Sequence, residues 1–312
     1  MSSRRVGVVS VLLVLALLPF GVGRYHLSIL ILTGLHAIMS TGFNLLVGYT
    51  GQLSFGHNAF VGLGAYSSAV LTTRLGWPPL LALLAGLGLS WIVALLVGVP
   101  TLRLRGHYLA MATAGIGVIG YVLFSELETI TRGFIGIGNI PALSLGPWSV
   151  HSDRGYYYTI ALLTFGGLWV CQRLVSSRVG RALAAVRDDE QAARASGIDP
   201  ARYKLRVFVL SALYASLAGS LYAHWVAYVS PEPFGLDLAI LLIVILFVGG
   251  IGTLWGPLVG ALVVTVLGEV LRVSKGFNQL IFGVLLVVIL VVAPRGVVGL
   301  GRAFRARRAP PG

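Results

Sequence analysis

Residues 173–206 read RLVSSRVGRALAAVRDDEQAARASGIDPARYKLR, a polar stretch between long apolar segments. It holds eight of the 23 basic residues and four of the ten acidic residues of the chain. The Ala-rich run at 181–196 has good helix propensity and predicts a single short helix on a membrane surface. Gly197 then supplies a helix stop, and Asp199 followed by Pro200 supplies the N-cap and first turn of another helix. Such a surface element is well placed to be held by another protein.

The composition predicts a membrane protein. The mean hydropathy is +0.90 and only 11% of the 312 residues are charged, whereas soluble domains carry about 25%. Apolar runs recur at the length that a helix needs to cross a hydrocarbon core about 30 Å thick. Backbone polar groups must be satisfied inside that core, so these runs are expected to be helices. The fold class is therefore an all-α polytopic membrane protein.

We predict about ten transmembrane helices in a single transmembrane domain that covers residues 1–312. The predicted spans are 6–22, 27–47, 52–72, 79–100, 107–124, 156–172, 205–228, 237–249, 256–272 and 278–293. The first resembles a signal peptide but lacks a small-x-small cleavage site, which predicts an uncleaved helix. The third and eighth could be broken or re-entrant.

The basic residues predict the orientation of these spans. With both termini inside, 17 of the 23 basic residues lie on the cytoplasmic side, as the positive-inside rule requires. This arrangement leaves an external loop at 125–155 and a cytoplasmic coupling loop at 173–204. The external loop is either a solvated connector or a docking surface for an external partner. The net charge of the chain is +13. Because its basic residues lie next to the apolar spans, this charge indicates membrane topology and not nucleic-acid binding.

Two glycine-rich segments predict a translocation path. Residues 47–53 read VGYTGQL and residues 248–254 read VGGIGTL, with four identities in seven positions; we call them the first and second hairpins. They are a weak indication of an internal repeat. Gly249, Gly250 and Gly252 of the second hairpin either serve helix packing or line the path.

Polar residues gather around the first hairpin. Polar groups inside spans are costly and need partners or a wet cavity. The polar residues concerned are Gln52, Ser54, His57, Asn58 and Asn44, of which the first four are predicted to line the translocation path. For His57 and Asn58, a role in lining the path competes with interhelical hydrogen bonds that only hold the bundle together.

The chain carries no motif for chemistry of its own. It has no phosphate-binding Gly-x-x-x-x-Gly-Lys-Ser/Thr loop, no Gly-x-Ser-x-Gly elbow and no His-Glu-x-x-His pair. Its one cysteine and six scattered histidines predict no metal site. We predict a protein that is not an enzyme and that receives energy from a partner through the surface helix.

Several motifs resemble one family of transport proteins. In the polar stretch they are Gly180-Arg181-Ala182-Leu183, Arg187-Asp188-Asp189-Glu190, Ala192-Ala193, Gly197-Ile198 and Tyr203-Lys204. Elsewhere they are residues 44–57, 62–66, 102–110 and 249–257. Over about residues 27–295 the chain resembles the permeases of branched-chain amino acid ABC importers, specifically the M-type subunit. Residues 191–197 resemble the Glu-Ala-Ala-x-x-x-Gly loop of ABC importers, with Gln191 at the Glu position and no Ile-x-Leu-Pro downstream.

The resemblance implies a bacterial inner-membrane complex. Its other members would be an H-type permease, two cytoplasmic ATP-binding subunits that hold ATP and Mg²⁺, and an external solute-binding protein. No cofactor is then expected in this chain itself. The resemblance assigns ATPase coupling to Gly180, Arg181, Arg187, Asp188, Glu190, Ala192, Ala193 and Gly197.

Other functions remain open at this point. The same machinery could carry urea, short amides or another small polar solute, because cargo choice often resides in the binding protein. An autonomous secondary carrier would need an ionisable residue deep in a span, and none is predicted here. A membrane enzyme would need the motifs that are missing.

Overall fold

The computed structural model describes residues 17–104, 106–145, 148–150, 152–272, 283 and 296–299. Most of the predicted first and tenth spans, at 6–22 and 278–293, therefore lies outside the described residues. The helices are α1 (Arg24–Thr50), α2 (His57–Arg74), α3 (Pro79–Thr101), α4 (His107–Glu126), α5 (Glu128–Thr131), α6 (Asp153–Val175), α7 (Arg178–Asp188), α8 (Glu190–Ala195), α9 (Pro200–Val226), α10 (Leu236–Gly249) and α11 (Gly256–Arg272).

Five of these helices are long and apolar enough to cross a membrane. They are α1, α3, α4, α6 and α9, and two shorter apolar helices, α10 and α11, follow them. The described residues thus form an all-α membrane protein, while the total of ten spans stays a prediction.

The predicted third span, 52–72, is helical only from His57, where α2 begins. Gly51, at φ 70°, ends α1 in the left-handed conformation that glycine adopts without strain. The residues between Gly51 and His57 are not helical.

Helix α9 forms the centre of the bundle, where it packs against α1, α2 and α3. Two glycines allow the closest crossing, since a Cβ on Gly219 of α9 would overlap the Val61 carbonyl, and one on Gly64 of α2 would overlap the Ser216 carbonyl. Small residues at such crossings let helix backbones approach closely. The polar and small-residue character of α2 therefore fits a helix buried against α9.

The predicted external loop at 125–155 is folded against the bundle. Strand β1 (Ile137–Gly138) pairs antiparallel with β4 (Tyr228–Val229), and β2 (Ser144–Leu145) pairs with β3 (Trp148–Ser149). The Tyr156 hydroxyl accepts from the Leu143 amide at 2.9 Å and donates to the His224 carbonyl at 2.8 Å. Sequence analysis did not predict these short strands, because two-residue pairings leave no periodic pattern.

The coupling loop contains two helices, so the predicted single helix at 181–196 is wrong. The backbone turns at Asp189, which is extended at φ −156° and ψ 114°. Its Oδ1 accepts from the amides of Gln191 at 2.7 Å and Ala192 at 3.1 Å, so it caps α8. An aspartate can offer its own acceptor to nearby amides and so compete with continuation of a helix.

The predicted helix stop at Gly197 and the predicted helix start at Asp199 and Pro200 are confirmed. Gly197 stops α8 at φ 80°, and the Ile198 amide donates back to the Ala193 carbonyl at 3.0 Å. Asp199 then caps α9 by accepting from the amides of Ala201 and Arg202, and Pro200 opens that helix.

Candidate functional site

One face of α7 holds the coupling loop against the bundle. Its buried residues, Gly180, Ala182, Leu183 and Val186, recur at the spacing of one helical face. A Cβ on Gly180 would overlap the Val175 carbonyl, so only glycine permits this approach to the end of α6. Arg181, Arg187 and Asp188 are exposed. The helix therefore anchors one side to the spans and leaves charged groups accessible.

Arg187 connects the coupling loop to the first hairpin. Its Nη1 donates to the carbonyl oxygen of Gly48 at 2.7 Å, 139 positions away in the sequence. Gly48 lies in the last turn of α1, where carbonyl groups lack helical partners and carry the negative end of the helix dipole. A guanidinium is well suited to this position because it adds charge to the hydrogen bond.

Asn44, which lies on α1 just before the first hairpin, connects that helix to the second hairpin. Its Nδ2 donates to the Thr253 carbonyl at 2.9 Å, and its Oδ1 accepts from the Gly252 amide at 2.9 Å. Asn44 is fully buried. One side chain therefore satisfies a donor and an acceptor of the second hairpin, while Gly48, one turn further along α1, receives Arg187. We call Asn44, Gly48, Arg187 and Gly252 the junction.

The glycines of the second hairpin are needed for its close packing. Gly252 has φ 70° and Gly250 has φ 112°, both in the region that side chains disfavour. A Cβ on Gly249 would overlap the backbone carbonyl of Gly256 on α11. These glycines have the close contacts expected if they serve helix packing. Their role in lining the translocation path stays a prediction.

His57 and Asn58 are buried between helices. The His57 Nδ1 lies 3.2 Å from the Ser54 hydroxyl, and its Nε2 lies 2.6 Å from the Ser211 hydroxyl on α9. The Asn58 amide nitrogen donates to the carbonyls of Gly117 at 3.3 Å and Phe234 at 2.9 Å. Gln52 is half-buried, and its Nε2 approaches the Thr50 carbonyl at 3.4 Å. These bonds join α2 to α4 and α9, and the path role of the four residues stays a prediction.

Glu190 pairs with Lys204 across the break between α8 and α9. Lys204 is 3% exposed, although it carries a full charge. Burying a cation is tolerated only with a close partner, so the pair fixes α8 against the start of α9. Of the remaining predicted coupling residues, Ala193 is buried, whereas Ala192 and Gly197 are exposed.

Comparison with known proteins identifies the family. Residues 25–294 match the family described as branched-chain amino acid transport system / permease component. The chain belongs to this permease family.

Several relatives support the assignment. The high-affinity branched-chain amino acid transport system permease protein LivM of Escherichia coli is 34% identical over 320 residues, with 93% of this chain and 74% of LivM covered. LivH of the same organism is 24% identical, with 85% and 91% covered. The fructose import permease protein FrcC of Rhizobium meliloti is 26% identical, with 90% and 83% covered. No solved structure matches the chain.

Sequence analysis of this permease missed two parts of the site. Asn44 was noted as a polar residue inside a span, but its partners on the second hairpin were not predicted. The buried pair of Glu190 and Lys204 was also missed, although both residues occur in the family motifs. A signal existed for Asn44, because a buried amide in a span needs partners. No signal in the sequence identified Gly252 and Thr253 as the partners of Asn44.

Replacing Asn44 with leucine is expected to loosen the junction. The Gly252 amide and the Thr253 carbonyl would lose their partners, and each buried polar group left unsatisfied costs about 1–3 kcal/mol. The purified permease should therefore unfold at a lower temperature in a fluorescence-monitored melt. Thr41→Val is the matched control, since Thr41 is buried on the same helix and, among the described residues, its hydroxyl donates to the Ala37 carbonyl of that helix at 2.7 Å. Equal melting temperatures for both variants would contradict a structural role for Asn44.

Proposed function

We propose that this chain is the permease subunit of an ABC importer and forms the transmembrane pathway for branched-chain amino acids. Membership of the permease family and the 34% identity to LivM support the substrate class. The relative that imports fructose is more distant at 26% identity, and no relative described above favours urea or amides. The complex would lie in the bacterial cytoplasmic membrane, with both termini of this chain on the cytoplasmic side.

The partners follow from the proposal. A second, H-type permease would complete the pathway, since relatives include both LivM and LivH proteins. Two cytoplasmic subunits would bind and hydrolyse ATP with Mg²⁺, and an external binding protein would deliver the solute. This chain would bind no ATP and would take no part in hydrolysis.

The bond between Arg187 and Gly48 is the observation that carries the mechanism. It joins α7, whose other side is exposed, to the end of α1, and Asn44 continues the connection to the loop between α10 and α11. A partner ATPase that binds α7 and α8 differently in its two nucleotide states would favour a different arrangement of the spans α1, α10 and α11 in each state. We propose that the junction transmits this movement.

Reconstitution tests the function. Vesicles that contain the chain, its H-type partner, both ATPase subunits and the binding protein should accumulate leucine, isoleucine and valine only when ATP is present. Vesicles that contain this chain alone should accumulate none. Uptake by the single chain without nucleotide would contradict the proposal, and preferential uptake of urea, acetamide or fructose would contradict the substrate class.

A further inference from the structure

A basic cleft opens beside the coupling loop. It has a volume of about 370 Å³ and lies between the end of α3, α8 and the first turns of α9. Its charged lining residues are Arg103, Glu190, Arg194, Arg202 and Lys204. Its other lining residues are Gly98, Val99, Leu102, Ala201 and Leu205. The cleft thus combines an apolar side with a cationic side.

The cleft holds more positive than negative charge. Four cations and one carboxylate line it, and that carboxylate, Glu190, pairs with Lys204. Asp199, outside the lining, pairs with Arg202 at 2.9 Å. Arg103 and Arg194 supply the surplus. Lys204 is almost fully buried, whereas Arg103, Arg194 and Arg202 are exposed and accessible to a headgroup.

An exposed apolar stripe leads along α3 into this cleft. Ile92, Leu96 and Val99 are 49%, 70% and 48% exposed, and they recur at the spacing of one helical face. Arg103 follows four positions after Val99, so the stripe ends at a guanidinium. Val99 belongs both to the stripe and to the cleft lining. A phospholipid whose acyl chains packed on this stripe would have its headgroup next to Arg103 and Arg194.

We propose that the cleft binds the phosphate of an anionic phospholipid, with the acyl chains against α3. Guanidinium groups bind phosphate oxygens well because their donors match them in pairs, and basic pockets between transmembrane helices are suited to anionic headgroups. The bound lipid would bridge α3 to α8 and α9. It would therefore stabilise the part of the coupling loop that contains the pair of Glu190 and Lys204.

Lipid retention tests this site. The complete complex is reconstituted in nanodiscs of phosphatidylethanolamine and phosphatidylglycerol, extracted into detergent, and its bound lipid is counted by native mass spectrometry. Phosphatidylglycerol should be enriched over its share of the bilayer. Arg103→Gln with Arg194→Gln should reduce its retention roughly thirtyfold, since each of the two basic residues contributes about 1 kcal/mol near an anionic lipid and every 1.4 kcal/mol is tenfold.

Two controls separate charge from folding. Arg173→Gln with Arg178→Gln removes the same charge from exposed positions outside the cleft lining and should retain wild-type lipid. Arg103→Lys with Arg194→Lys keeps the charge of the cleft and should retain most of the bound phosphatidylglycerol.

Three results would overturn the proposal. The first is equal retention of phosphatidylglycerol in the glutamine variants of the cleft and of the control positions. The second is displacement of the lipid by soluble inorganic phosphate, which would identify a site for a free anion. The third is loss of an ATPase subunit from the cleft variant with its lipid unchanged, which would identify a protein-binding surface.

Discussion

Arg187→Gln is expected to reduce solute uptake by the reconstituted complex by about tenfold or more, while the partner ATPases continue to hydrolyse ATP. The substitution removes the charged donor to the Gly48 carbonyl, and hydrogen bonds that involve a charged group contribute about 1.5–3 kcal/mol. If the activation free energy of the transport step rises by that amount, its rate falls tenfold or more. The measurement is the ratio of leucine transported to ATP hydrolysed.

The controls for Arg187 are a charge change outside α7 and α8 and a conservative change at Arg187 itself. Arg173→Gln removes the same charge from an exposed position on α6 and should leave the ratio unchanged. Arg187→Lys keeps the charge on a side chain of different shape and should retain part of the coupling. The junction would have no role in coupling if Arg187→Gln transported at the wild-type ratio. A complex that failed to assemble would be recognised by the absence of the ATPase subunits after purification.

Gly219→Ala is expected to destabilise the bundle by about 3 kcal/mol, because overpacking a tight contact typically costs about 1–3 kcal/mol and occasionally more. The added Cβ would overlap the Val61 carbonyl, and backbone cannot rotate away as a side chain can. The helices α2 and α9 would have to separate along their whole crossing. The expected result is a low yield of monodisperse protein in fluorescence-detected size-exclusion chromatography.

The matched control is Gly88→Ala. Gly88 lies inside α3, and a Cβ there would have no neighbour within 4 Å. Alanine favours a helix over glycine by about 0.5–1 kcal/mol, so this variant should be produced at least as well as the wild type. If both variants gave the same yield, close contact between α2 and α9 would not limit the stability of the fold.

Local signals predicted much of the architecture. The apolar runs predicted helices that the structure describes at 24–50, 79–101, 107–126, 153–175 and 200–226. Helix ends were also predictable where one residue decides them, as at Gly197 and Asp199. The break at Asp189 was missed although its cause is local, because helix propensity summed over the Ala-rich run outweighed one capping residue.

The sequence by itself determined that this protein is helical and apolar enough to span a membrane, because these properties follow from composition and helix ends, and its short motifs resemble those of ABC importer permeases. Only the tertiary structure decided that Arg187 connects α7 to the first hairpin and that Asn44 connects α1 to the second. Their contacts join residues 139 to 209 positions apart. Such contacts exist because α1 packs beside α7 and α11, and that packing depends on the fit of many side chains at once.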